Sequence, residues 1–278
     1  MPALRSLVRL GAIPLAFGAL IGPGIAGATA GVLIPAHRLV PAHKGILPPK
    51  NPSRSLAPAP AFLYSGYCTH GKDGSKCNSL VLKAVTRARR VLEKMAGMSF
   101  SLRAYEKMPP DEQLFVTVNL ERTERGLPPA VVLTRSLDKV AQRGANSDDD
   151  PPLGAVPDRL PGGGRPSALG GNWAGGWGNA LGADYAWMYD DGLGSSNGDC
   201  TKANRSGCWG HRDNILGTFN SARMCGGGKD ELAMGAGHVT RGKAYGDSET
   251  ELLVGVCGRT PTDVVLTWAK AKRLLHIS

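Results

Sequence analysis

The sequence predicts an α+β fold, laid out as helices packed on an antiparallel sheet in a layered α-β-α plan, and three observations carry that expectation. Helical periodicity governs the first half of the folded chain, 23 glycines crowd residues 162–257, and two β-like stretches, 231–240 and 249–257, flank a turn at 242–247. Helices followed by paired strands, with no βαβ alternation, argue against a parallel sheet. The 278 residues suffice for one ordinary domain with flanking segments and exclude a large multidomain enzyme.

The first 30 residues read as a secretory signal peptide: Arg5 and Arg9 without an acid, an apolar run, then the small-residue exit Ala28-Thr29-Ala30. Pro14, Pro23 and five glycines from Gly11 to Gly27 argue against a retained membrane anchor, so the mature chain is expected without one. Residues 31–60 hold seven prolines and no acid, the composition of an extended basic tether. Charge is unevenly spread. Residues 31–107 carry 13 Lys/Arg against 3 Asp/Glu, whereas residues 108–278 carry 18 against 20. A basic arm suits anionic cell-envelope polymers or phospholipid headgroups, or is merely solvated. Nucleic acid is not expected as a partner, since no recognition motif accompanies the charge and export removes the chain from intracellular nucleic acid.

A basic N-terminal extension, 61–107, should contain a helix over 79–95. Val81, Val85, Ala88, Leu92 and Met95 step by four and three, and Lys83, Arg87, Arg90 and Lys94 repeat those steps on a cationic side. Pro109-Pro110-Asp111-Glu112 opens a second helix that Gly126 ends, with Leu114, Phe115, Val118 and Arg122 on one stripe. Ser136 is expected to cap a third helix through Leu137, Val140 and Ala141. A short fourth, 179–191, places Leu181, Tyr185 and Met188 on one face. The last segment, 259–278, reads as helical.

Six cysteines, an even number, fit an oxidising compartment. Sequence alone leaves about 15 pairings open, and local grouping favours Cys68 with Cys77, Cys200 with Cys208 and Cys225 with Cys257. Their spacing matches no zinc knuckle.

Asn119-Leu-Glu-Arg122, Arg125-Gly-Leu-Pro-Pro129, Leu137-x-x-x-Ala141, Gly171-Asn-Trp-Ala-Gly175, Trp187-Met188 and Gly210-His-Arg-Asp-Asn-Ile-Leu216 occur in that order. Together they resemble the CAP superfamily of cysteine-rich secretory, antigen-five and pathogenesis-related proteins (the SCP-like domain), over about residues 110–258. The Cys200 to Cys208 insertion looks like an actinobacterial secreted branch. The resemblance implies a CAP-like domain at 108–258, a three-layer α-β-α sandwich with a central groove that in many members holds a divalent metal on two histidines and two acids. Carried over, those positions are Gly144, Gly171, Asp190 and His211. Two glycines replace ligands, so the tetrad is degenerate and neither a metal nor a cofactor is expected.

What remains is a candidate groove of His211, Arg212, Asp190, Asn172, Trp173 and Trp177. His211 either hydrogen-bonds Asp190 or a backbone carbonyl and fixes the loop onto the helix, or gives the groove pH sensitivity or meets an anionic ligand group beside Arg212. The tryptophans either fill the core, as expected of Trp187, or line a groove for a lipid or glycan, with Trp177 the one expected to be exposed. The sequence therefore points to a secreted, non-catalytic binding or cell-envelope module. The alternatives are an extracellular hydrolase using His211 and Asp190, with Ser195, Ser196 and Ser206 nearby but in no nucleophile elbow, and a purely structural domain.

Overall fold

The computed structural model describes residues 50–55, 60–68, 74–217, 225, 230–242 and 244–277. The segment expected as a signal peptide and most of the expected tether lie outside them. In chain order the principal elements are α1 (Gly74–Ala88), running into a π-type turn at Arg89–Glu93, α2 (Leu102–Tyr105), α3 (Pro110–Thr123), β1 (Ala130–Thr134), α4 (Arg135–Ser147), β2 (Arg165–Gly175), α5 (Ala180–Tyr189), α6 (Gly210–Leu216), β3 (Asp230–Gly242), β4 (Gly246–Cys257), β5 (Val264–Thr267) and α7 (Trp268–Leu275).

The fold is α+β. Five strands form one sheet in the order β2-β4-β3-β1-β5, antiparallel except for the β1 and β3 pair. The expected hairpin is β3 and β4, with His238 paired to Glu249 and Ala236 to Glu251. Strands β1, β2 and β5 were not expected. β2 hides because it spends Gly170 and Gly171 where a strand ordinarily places branched residues.

Strand alternation gives the sheet two buried faces. On β4, Leu252, Val254 and Val256 join Leu137, Val140 and Ala141 of α4, whereas Leu253 joins the larger core beneath α1, α3, α5 and α7. Helix α4 lies directly on the β3 backbone. A Cβ on Gly235 would stand 2.3 Å from the Leu137 carbonyl carbon, and one on Gly237 would stand 2.6 Å from the Gln142 Cα. Beyond the end of β1, side chains of α4 serve β3 instead: Ala236 N–H donates to Asp138 (2.9 Å) and His238 N–H to Gln142 (3.2 Å).

Helix ends follow capping chemistry with one correction. Thr134, rather than Ser136, caps α4 by accepting the Leu137 N–H at 3.4 Å, while the Ser136 N–H is taken by Asp263 at 2.7 Å. Asn179 caps α5 through the Gly182 N–H at 3.0 Å. The first helix begins at Gly74, earlier than its apolar period suggests, and buries Val81, Val85 and Ala88 as expected.

Helix α3 is buried all round from Leu114 to Arg122 rather than along one stripe. Asn119 ties it to β1 by bonding both the Ala130 N–H (2.7 Å) and its carbonyl (3.0 Å). Arg89 donates to Glu121 at 2.7 Å and also pairs with Glu124; Arg125 bridges Glu121 and Glu93, and Glu93 accepts Arg212. This buried chain of charges links the turn after α1 to α3 and α6, and one core cluster runs from Phe62 to Leu275.

Candidate functional site

The site is built where α5 ends and α6 begins. Asp190 caps the C-terminus of α5, Asp191 follows, and the chain returns through the disulfide-closed loop to Trp209, held at φ 65° immediately before α6. The Asp191 carbonyl accepts the Trp209 N–H at 2.8 Å, and its carboxylate accepts the His211 N–H at 3.0 Å and the Arg212 N–H at 3.2 Å. A side chain from the preceding helix thus satisfies the first turn of α6.

The same carboxylate orients the imidazole. His211 Nδ1 lies 2.7 Å from Asp191 Oδ1, which also accepts Asn197 Nδ2 at 2.6 Å. An ionised carboxylate only accepts, so Nδ1 carries the proton and Nε2 is the outward nitrogen. The His211 side chain is 22% exposed and Asp191 only 1%. Burial alone would lower the imidazole pKa, but the bond to Asp191 and the charges of Asp191, Asp150 and Asp199 outweigh it and raise it. Asp190, expected as the partner, instead accepts the Ser196 hydroxyl (2.8 Å) and N–H (3.3 Å), with its carboxyl pKa raised by burial.

Arg212 is not presented to a ligand. It is fully buried, donates to the Met188 carbonyl at 2.8 Å and to Glu93, and lies over the Tyr189 ring. Asn172 is likewise internal, donating to the His211 carbonyl (2.9 Å) and to Glu251 (2.6 Å) while accepting from Asn214 (2.8 Å). Asn214 also reaches the Gly171 carbonyl at 2.9 Å, so α6 is sewn to β2 by two amides.

Trp177 is 7% exposed, correcting the expectation that it faces solvent; it packs with Phe62 and Tyr185. Trp187 is core, as expected, and donates to the Trp173 carbonyl at 2.9 Å. Trp173 is half-buried, donates to Ser248 at 2.8 Å and meets the Tyr245 ring edge-on. The three do not converge on a groove.

The two glycine positions explain themselves. Neither has a positive φ. A Cβ on Gly144 would stand 2.7 Å from the Asp149 carbonyl oxygen and 2.9 Å from the Pro151 nitrogen, and one on Gly171 would stand 3.2 Å from the rings and methyls of Pro151 and Leu153. Segment 149–153 therefore occupies the space into which side chains from both glycines would project. Among the described residues no three His, Cys, Asp or Glu side chains are grouped to hold a metal ion, and no helix is long and apolar enough to cross a membrane.

Chemically, His211 with Asp191 is an oriented acid-base pair, and among the described residues no serine hydroxyl is hydrogen-bonded to the His211 ring. Ser196 is spent on Asp190, Ser195 accepts the Asn197 N–H and Ser206 donates to Asn204. Two acidic features escaped the sequence reading. Glu251, buried beneath Asn172, is pushed up to about 8 by burial against the opposing pull of Arg122 and His211. A second pair, His238 Nδ1 and Glu249 Oε1, lies 2.6 Å apart across the hairpin, and that hairpin register was the signal that could have found it.

The three disulfides are Cys68–Cys77, Cys200–Cys208 and Cys225–Cys257, leaving no free cysteine, a pattern that fits an oxidising compartment. No family model, curated protein or solved structure matches the chain.

Proposed function

We propose that this chain is an exported, disulfide-stapled domain of CAP type whose metal position has been built over by its own backbone, and that it serves as a non-catalytic binding module of the cell envelope. The observation that carries the reading is segment 149–153 seated against Gly144 and Gly171, in the space where ligand side chains would project. The order of the Gly-Asn-Trp-Ala-Gly, Trp-Met and Gly-His-Arg-Asp-Asn-Ile-Leu motifs supports the family placement. The engagement of Asp191 by four donors supports a positioning role for His211: the carboxylate holds the α6 turn as much as it holds the ring.

The test is co-sedimentation of the mature protein with a purified cell-envelope fraction of its own host. The reading expects retention in the pellet and displacement by salt; recovery wholly in the supernatant overturns it. The hydrolase alternative now rests on His211 with Asp191, and it gains the field if the purified protein cleaves ester or amide substrates at a rate abolished by His211→Ala.

A further inference from the structure

The cations of the first helix are sorted with unusual completeness. From Gly74 to Lys94 the only described acid is Glu93, and it is turned inward to Arg125 and Arg212. Arg89, four residues earlier, is fully buried on Glu121 and Glu124. The remaining cations point the other way: Lys83, Arg87, Arg90 and Lys94 are all exposed. Among the described residues none of the four has an ion-pair partner. Lys76 falls on the same line but sits over the Tyr67 ring, 3.9 Å from its centroid.

Lys83 and Arg87 stand one turn apart on α1, about 5 to 6 Å, and Arg90 and Lys94 continue the series through the π-type turn and its left-handed cap, where Lys94 has φ 59°. A row, rather than a cluster, matches repeated charges along an extended chain. Arg87 and Arg90 offer planar forks suited to phosphate oxygens. None of the four neighbours in the row is aromatic, and the exposed ring beside the line, Tyr67, is already covered by Lys76, which disfavours stacking of successive bases. Its one apolar member, Val91, is 47% exposed, too little to seat the row in a bilayer.

We infer that the exposed row Lys83, Arg87, Arg90 and Lys94 is a docking surface for a linear polyol-phosphate chain of the cell envelope. This rests on the proposed envelope role and gives it a location and a ligand chemistry. Each contact replaces counterions on the polymer with a protein cation, so binding should weaken steeply with salt.

The experiment titrates the full mature protein with poly(glycerol phosphate) across a salt series. It compares the parent with the Lys83→Gln, Arg87→Gln, Arg90→Gln, Lys94→Gln variant and with a tether variant carrying Arg38→Gln, Lys44→Gln, Lys50→Gln and Arg54→Gln. At 0.1 M salt the row variant should lose at least tenfold in affinity, and its slope of log affinity on log salt should become shallower by about three, four contacts at roughly 0.7 each. An unchanged slope, or a loss confined to the tether variant, overturns the assignment. So does binding to phosphatidylglycerol vesicles without binding to the free polymer, which would make the surface a membrane contact. If the quadruple variant melts below the parent, Arg90→Glu with Lys94→Glu replaces it, with the same expected direction. Retention on host envelope without polymer binding overturns this assignment alone, whereas loss of both overturns the envelope role as well.

Discussion

His211 Nδ1 stands 2.7 Å from Asp191 Oδ1, and the same carboxylate holds the backbone N–H groups of His211 and Arg212. Ring and helix are thus fixed by one side chain. Asp191→Asn places an amide donor among donors and should cost about 2 kcal/mol. It should also return the His211 titration toward its ordinary value, because the raised pKa depends on that partner. Histidine titration by NMR checks this. Asp190→Asn should leave the His211 curve in place, since Asp190 bonds Ser196 instead.

The covered glycine positions predict failure of a restored metal site. Gly144→His with Gly171→Glu should show no zinc-dependent rise in melting temperature, because the new side chains meet segment 149–153 before they can converge. The single Ala variants should differ. At Gly144 the obstruction is backbone at 2.7 Å, so overpacking of about 1 to 3 kcal/mol should outweigh the gain in helix propensity. At Gly171 the contacts are side-chain carbons at 3.2 Å that can shift, and the loss should be smaller. Urea denaturation of both variants decides the order.

Stability should be greatest in mild acid. Burial raises Glu251 to about 8 and Asp138 to about 7, so the native state holds these protons more tightly than the unfolded chain does. Their contribution is complete below the ordinary carboxylate range and is lost as pH rises through about 7 to 8. His211 and His238 are raised too, despite burial, and act in the same direction above their unfolded value. Glu121 works oppositely: burial would raise it, but Arg125 and Arg89 hold it at about 2, so its contribution is present above the ordinary range and lost as pH falls toward 2. Denaturant melts from pH 3 to pH 9 should therefore peak near pH 5 and decline on the alkaline side, and Glu251→Gln should flatten that decline.

Among the staples, Cys225–Cys257 closes the longest loop, with a sequence separation of 32 against 9 and 8. Chain entropy gives a loss of about 3.7 kcal/mol on its removal and about 2.6 kcal/mol for Cys68–Cys77. Thermal melts of the paired Cys→Ser variants should rank in that order.

Residues 61–107 should prove indispensable. Removing one partner of a buried ion pair strands the other, so Arg89→Met should destabilise by about 3 to 5 kcal/mol. A chain beginning at residue 108 should show no cooperative melt, because it exposes the core that Phe62, Val81, Val85 and Tyr105 cover.

Legibility followed the range of the interaction. The periods of α1 and α3, the short helix beginning near Asn179 and the β3-β4 hairpin are written within a few residues of one another, and all four were readable. Helix α3 shows where that stops: Thr117, Asn119 and Arg122 are polar, yet all three are buried and each finds its partner on another element, Tyr105, Ala130 and Ile215 respectively. At the candidate site, the choice between adjacent Asp190 and Asp191 as the partner of His211 was not readable, because it turns on how the last turn of α5 unwinds.

By itself the sequence determined the helical and strand periods, the separation of a basic N-terminal segment from a near-neutral remainder, and three cysteine neighbourhoods whose grouping fitted the pairs that form. These depend on local spacing and composition, which one chain carries in full. Tertiary structure alone decided that Trp177 is core, that Arg212 and Arg89 are spent on buried carboxylates, and that segment 149–153 fills the space beside Gly144 and Gly171. Each of those depends on which distant surface arrives opposite a residue, and the free energy of burying a charge or excluding a side chain belongs to that encounter rather than to the residue.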